Sequence, residues 1–190
     1  MSLHRILTTA AVGAAISAAA VTGVATAAPA ATAAACSVSW GSTAKTSVPM
    51  TARQITNVRA GQHTCYDRLV VDLNGAGSTA TGYDVRYVTT VTQDASGKPV
   101  PLRGGAKLQI VVRAPAYSTT GRSTYNPANP KELVNVTGYR TFRQVAFAGS
   151  FEGQTTLGLG VRARLPMRVF RLAGPGTGER LVIDVAHSWS

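Results

Sequence analysis

Apolar and polar residues alternate along most of the chain after residue 54, and a period of two is typical of half-buried β-strands. No convincing run with helical period extends beyond two turns. The alternation is found in residues 55–59, 67–73, 83–92, 107–114, 142–147, 154–165, 167–172 and 179–185. Because Gly-rich and Pro-rich breaks separate these segments, the sequence predicts an all-β domain, a sandwich or barrel of about seven to nine short strands.

The segment 154–165 shows how alternation assigns residues to faces. One side carries Leu157, Leu159, Val161, Ala163 and Leu165, and the other carries Gly158, Gly160, Arg162 and Arg164. Side chains at alternate positions of a strand point to opposite faces of the sheet. The pattern therefore predicts a core side and a solvent side, with Pro166 ending the strand.

Two segments repeat one seven-residue pattern. Residues 67–73 read DRLVVDL, and residues 179–185 read ERLVIDV. In each, an arginine and an aspartate four positions apart fall on the same, solvent-side face. The simplest interpretation is that both segments are edge-like strands with the same amphipathic pattern. The alternative is that they bind a ligand. Surface pairs of this kind contribute below about 1 kcal/mol.

The N-terminal residues 1–27 have the features of a secretory signal peptide. His4 and Arg5 precede an uncharged run over residues 6–24, and Ala25-Thr26-Ala27 fits a cleavage site. An uncleaved membrane anchor is the alternative, since the run is just long enough to span a bilayer. We expect a secreted or envelope-associated bacterial protein without a transmembrane segment in its mature chain. Residues 28–53 would form a flexible arm before the domain at residues 54–187.

The chain has two cysteines, Cys36 and Cys65. In an oxidising compartment an even pair indicates one disulfide, which would tie the arm to the domain. Closing a loop of about 30 residues stabilises a fold by about 3.5 kcal/mol on the chain-entropy model. Two alternatives remain open: a lipoprotein cleavage box ending at Cys36, and a pair of reactive thiols.

Basic residues outnumber acidic ones by 19 to 8, for a net charge of +11. Without Arg5 the charge is +10, which attracts polyanions. For an exported protein these would be wall polymers rather than nucleic acid. Basic residues concentrate in one region, where the candidate ligand-binding residues are Arg140, Arg143, Arg162, Arg164 and Arg168, with Phe170 beside them. Guanidinium groups bind carboxylate and phosphate through paired hydrogen bonds. The simpler alternative is that these residues form a solvated outer face without a ligand.

Few residues suggest catalysis. After residue 27 the only histidines are His63 and His187, without a zinc-binding spacing. Ser150, in the run GSFEG, is wrongly placed for a nucleophile elbow. We therefore expect no metal, no cofactor and no enzyme activity. Since two of the eight acids could still meet in space, an unrecognised hydrolase is the alternative.

Five runs stand out by their order and spacing: residues 61–72, 104–108, 147–153, 166–172 and 180–185. Together they resemble the AMIN-like domain of exported actinobacterial proteins, and the resemblance covers residues 54–187. It implies an AMIN-like β-sandwich of two mostly antiparallel sheets, related to modules that bring cell-wall amidases and secretin pore proteins to the envelope. Such modules target rather than catalyse, and peptidoglycan is their expected ligand.

The sequence thus predicts an exported, non-catalytic module that binds peptidoglycan or another anionic wall polymer. The alternative is an interaction module that docks on an envelope protein by adding strands or pairing sheet edges.

Overall fold

A computed structural model of the chain describes residues 36–75 and 77–189, and the predicted signal peptide lies outside them. The described residues contain strands and no helix. The strands are β1 (Lys45–Ser47), β2 (Gln54–Gln62), β3 (Tyr66–Asn74), β4 (Tyr83–Val88), β5 (Val91–Thr92), β6 (Pro99–Val100), β7 (Ala106–Val112), β8 (Phe142–Phe151), β9 (Gln154–Val161), β10 (Met167–Ala173) and β11 (Glu179–Ala186).

Two antiparallel sheets form a β-sandwich, which confirms the predicted fold class. The five-stranded sheet has the order β1-β4-β7-β9-β8, and the four-stranded sheet has the order β10-β11-β3-β2. Strands β5 and β6 pair separately. Aliphatic side chains of both sheets fill the space between them, among them Leu69, Val71, Ile183, Leu108, Ile110 and Leu157, all without solvent exposure.

Short strands account for most differences from the sequence prediction. The predicted strand 83–92 is interrupted after Val88 and becomes β4 and β5. Strands β1 and β6 were not predicted, because two or three residues are too few to show alternation. Part of the segment expected to be a flexible arm is thus an edge strand, with Lys45 opposite Val85 of β4.

Strand β9 ends at Val161 rather than at residue 165. Its partner β7 starts at Ala106, opposite Val161, so the residues beyond have no strand to pair with on that side. Before β7, Gly104 has a φ of 113°, which turns the chain away from the sheet. Arg162 and Arg164 consequently lie in a bend and not on a strand face.

The side of β9 that was expected to face water is covered by the chain itself. Gly158 and Gly160 are buried beneath the segment before β7. A Cβ atom on Gly158 would lie 2.8 Å from Leu102 Cδ1, and one on Gly160 would overlap the carbonyl oxygen of Arg103. The two glycines therefore allow a close approach of this segment, which the alternation could not reveal.

The two repeated segments are the central strands β3 and β11, and they pair with each other. The expectation of two edge-like strands is therefore wrong. In the antiparallel register Arg68 lies opposite Asp184, and Arg180 lies opposite Asp72. Each repeat thus presents its arginine to the aspartate of the other, an arrangement with local two-fold symmetry.

The first acid of each repeat is buried and joins the two sheets. Asp67 accepts hydrogen bonds from the backbone N–H groups of Thr141 (2.6 Å) and Phe142 (3.0 Å), at the start of β8. Glu179 accepts the backbone N–H of Thr81 at 3.2 Å, two residues before β4. Buried backbone N–H donors need such acceptors. Both acids therefore hold loops of the opposite sheet in place through these hydrogen bonds.

The disulfide between Cys36 and Cys65 is present, with the two Cα atoms 5.3 Å apart, as predicted. It attaches the start of the described chain to the β2–β3 turn. From there the chain reaches the edge of the four-stranded sheet, where Met167 N–H donates to the Gly41 carbonyl at 2.8 Å. These two attachments flank Trp40 and hold it beside β10.

Candidate ligand-binding face

The outer face of the four-stranded sheet carries a buried carboxylate between two arginines. In register across the sheet lie Arg168 of β10, Asp184 of β11 and Arg68 of β3. Asp184 has no solvent exposure and accepts hydrogen bonds from Arg68 Nε (2.7 Å), Arg68 Nη2 (2.9 Å) and Arg168 Nε (2.8 Å). The hydrogen bonds to Asp184 raise the pKa of Arg68 above its ordinary value, against the effect of burial.

Aromatic rings stack around these arginines. The guanidinium carbon of Arg168 lies 4.3 Å from the ring centroid of Trp40, 5.3 Å from that of Tyr66 and 5.1 Å from that of Phe170. That of Arg68 lies 5.2 Å from Tyr66 and 5.4 Å from Phe170. We call Trp40, Tyr66, Arg68, Arg168 and Phe170 the arginine–aromatic cluster. Each contact is within the range of a cation–π interaction.

The cluster keeps a positive charge that solvent can reach. Two guanidinium groups share one carboxylate, so one charge is left uncompensated. The side chain of Arg168 is 40% exposed and that of Arg68 is 22% exposed. Because ring stacking and Asp184 fix both guanidinium planes, the remaining N–H groups can receive a carboxylate or phosphate with little loss of side-chain freedom.

A shallow groove of about 230 Å³ continues along the same face. Val70 and Val182 form part of its floor, Leu172 borders it, and Arg59, Arg68 and Arg180 line its sides. We call this the outer-face groove. Three cationic side chains around aliphatic ones suit an anionic ligand that has an apolar part.

The family model of the AMIN-like domain matches residues 53–187, which include both main sheets except β1. The chain belongs to the AMIN-like domain family. No curated protein and no solved structure matches the chain. AMIN-like domains are generally non-catalytic binding modules associated with the cell envelope, and membership suggests a binding module of that kind.

Two of the six ligand-binding residues predicted from the sequence lie together in this AMIN-like domain. Arg168 and Phe170 are both in the arginine–aromatic cluster. The other four bind the protein's own backbone or lie apart. Arg143 donates to the carbonyls of Tyr139 (3.0 Å) and Phe142 (2.8 Å).

The bend after β9 holds two further candidates of the AMIN-like domain. Arg162 Nη2 donates to the His187 carbonyl at 2.5 Å. Arg164 bonds Ser42 at 3.2 Å and covers the ring of Tyr87 at 5.3 Å. Arg140 is exposed in the loop before β8. The described contacts therefore do not join these residues to the cluster.

Three members of the cluster were missed in the sequence. Arg68 was assigned to a surface ion pair within its own strand, and its partner is on β11 instead. Tyr66 begins β3, and Trp40 lies far away in sequence. The period-two spacing of Tyr66 and Arg68, and of Arg168 and Phe170, is the signal that could have indicated a shared face.

Other parts of the described AMIN-like domain have fewer features of a ligand-binding site. Its residues contain no group of His, Cys, Asp and Glu that could hold a metal ion. Six of the eight acids pair with basic groups. A groove of about 680 Å³ lies outside the five-stranded sheet, where Arg103 is neutralised by Glu132. Over the same residues, no helix combines the length and hydropathy needed to cross a bilayer.

Proposed function

We propose that this AMIN-like domain is an exported, non-catalytic module that binds peptidoglycan or another anionic polymer of the cell wall. The ligand lies on the outer face of the four-stranded sheet. The observation that carries the proposal is the arginine–aromatic cluster, in which Arg168 is stacked on Trp40 at 4.3 Å and still 40% exposed. Family membership and the net charge of +10 without Arg5 support it.

The chemistry of the cluster fits a charged sugar polymer. Oriented guanidinium groups bind carboxylate or phosphate, and aromatic edges next to them contact the apolar face of a sugar ring. The face belongs to β10, β11 and β3, so it is extended and can contact successive units of a polymer. Several weak contacts along one chain add up to useful retention.

Retention on purified sacculi, with and without their anionic side polymers, tests the proposal. The wild-type protein should be retained at low salt and released as salt approaches about 1 M, where the screening length is about 3 Å. Arg168→Gln should weaken retention about tenfold, because it removes a charged contact worth about 1.5 kcal/mol or more. Arg68 still pairs with Asp184 in this variant, so folding is preserved.

The matched control is Arg122→Gln, which removes the same charge from an exposed loop away from this face. If both variants lose retention equally, net charge and not the cluster is responsible. Absence of retention on either kind of sacculus would refute the proposal.

A second candidate function is docking on an envelope protein by strand addition. Strand β10 is an edge strand, and within the described residues the only backbone hydrogen bond across its outer edge is from Met167 to Gly41. An extended segment of a partner could pair with the rest of that edge. Cross-linking in live cells that captures one protein, together with sacculi that bind nothing, would favour this function.

A further inference from the structure

Among the residues that the structure describes, one arginine of the outer-face groove has no carboxylate partner. Arg180 lies opposite Asp72 in the register of β11 and β3, as Arg68 lies opposite Asp184. Arg68 forms its two-pronged ion pair, whereas Asp72 is bound through both oxygens to Arg59, at 2.8 and 2.9 Å. The amide of Asn57 also donates to Asp72, at 3.3 Å. The local symmetry of the two repeats is therefore broken at Arg180.

The guanidinium group of Arg180 is left with unused donors. Its Nη2 donates to the Ala173 carbonyl at 2.6 Å. Its Nε–H is buried and has no hydrogen-bond partner within residues 36–75 and 77–189. A buried donor without an acceptor destabilises the fold, because it has lost its hydrogen bond to water. A ligand oxyanion that draws the guanidinium outward would give this donor an acceptor and would neutralise the charge.

We propose that the outer-face groove is a subsite for a single carboxylate that carries a small alkyl group, such as the free end of an alanine-terminated peptide, and that Arg180 binds the carboxylate. This rests on the proposed function, because it takes the ligand from a peptide-bearing wall polymer. Arg59 and Arg68 are already paired with aspartates, so the groove has one uncompensated charge and fits a monoanion.

The floor of the groove distinguishes a carboxylate with an alkyl group from a phosphodiester between polyols. Leu172 is 38% exposed and offers an apolar surface beside Arg180, above the nearly buried Val70 and Val182. A methyl group gains by covering Leu172, whereas sugar or polyol hydroxyls would lose water there without gaining hydrogen bonds. At about 230 Å³ the groove is also smaller than sites for drug-sized ligands, which suits a short peptide end.

Binding of three probes to the protein tests the subsite: N-acetyl-alanyl-alanine, its C-terminal amide, and glycerol phosphate. Arginine side-chain NMR signals are followed during each titration. The free acid should bind, shift the Nε–H signal of Arg180, and bind at least about tenfold more tightly than the amide, since one charged contact is worth this factor. Equal binding of acid and amide, or an unmoved Arg180 signal, overturns the proposal. Tighter binding of glycerol phosphate at Arg180 overturns the assignment to a carboxylate.

Two variants separate a binding role from a structural one. Arg180→Gln should abolish binding of the free acid, with folding checked by its thermal melt. Asp72→Asn leaves Arg180 in place and removes a nearby negative charge, so binding of the free acid should become severalfold tighter. The control Arg122→Gln should bind as the wild type does. Weaker binding by Asp72→Asn would overturn the charge argument.

The sacculus assay keeps this proposal distinct from the proposed function. If sacculi retain the protein and Arg180→Gln has no effect on peptide binding, the subsite is wrong and wall binding stands. If the peptide binds through Arg180 and sacculi do not retain the protein, wall binding is wrong and the subsite stands.

Discussion

Replacing the buried carboxylate Asp184 by asparagine should destabilise the domain strongly. The carboxylate has no exposure and accepts three charge-assisted hydrogen bonds from Arg68 and Arg168, at 2.7 to 2.9 Å. Removing one member of a buried ion pair typically costs about 3–5 kcal/mol. Because the two arginines keep 22% and 40% exposure, water recovers part of their solvation. We therefore expect the lower end, about 3 kcal/mol.

Urea unfolding followed by tryptophan fluorescence measures this loss, and a thermal melt should show a fall of about 6–12 °C for a domain of this size. The matched control is Asp84→Asn, which breaks the exposed pair between Asp84 and Arg86 on the other sheet. Exposed pairs contribute little, so its stability should stay close to that of the wild type. A loss for Asp184→Asn no larger than that of the control would refute the role given to the buried carboxylate.

Three other changes test separate parts of the fold. Serine at both Cys36 and Cys65 should lower the free energy of unfolding by about 3.5 kcal/mol, measured by urea titration, because the unfolded chain gains the entropy of an open loop. Gly160→Ala should cost about 3 kcal/mol in the same assay, since its Cβ would overlap a backbone carbonyl. Burial raises the pKa of Tyr87, so the domain should lose stability above the ordinary value of about 10, as the pH rises through the raised value. Alkaline melts of Tyr87→Phe should lack that contribution.

Each of these has an outcome that contradicts it. An unchanged midpoint for the double serine variant would mean that the β2–β3 turn holds the arm without the disulfide. Full stability of Gly160→Ala would mean that the covering segment is not fixed on the sheet. An identical alkaline slope for Tyr87→Phe and the wild type would mean that another group titrates.

The sequence allowed the sandwich and its disulfide to be predicted, because alternation and cysteine count are local properties. The partner of each strand is not local. Residues 67–73 and 179–185 were recognised as similar, but only the register places Arg68 against Asp184. The similarity itself suggested edge strands, whereas both are central.

The positions of the candidate site residues were also predicted only in part, because they depend on strand pairing that is not local in the sequence. Arg168 and Phe170 share a face by alternation within one strand. Arg162 and Arg164 were expected on a strand face because the alternation continues to residue 165, but β9 ends at Val161 and both lie in the bend that follows. Where β9 ends is decided by the start of β7, which the sequence of β9 does not contain. Trp40 could not be predicted because it reaches the face through the disulfide and the edge of β10.

The mutual pairing of the two repeats has a consequence for how such a domain can change. Antiparallel copies of one motif offer every ion pair twice, and a fold held by the first copy tolerates variation in the second. Here Arg59 binds Asp72 of the first repeat, so Arg180 of the second repeat forms no ion pair with that aspartate. An arginine whose opposite aspartate is bound elsewhere thus keeps donors that the fold does not use, and these can serve a ligand.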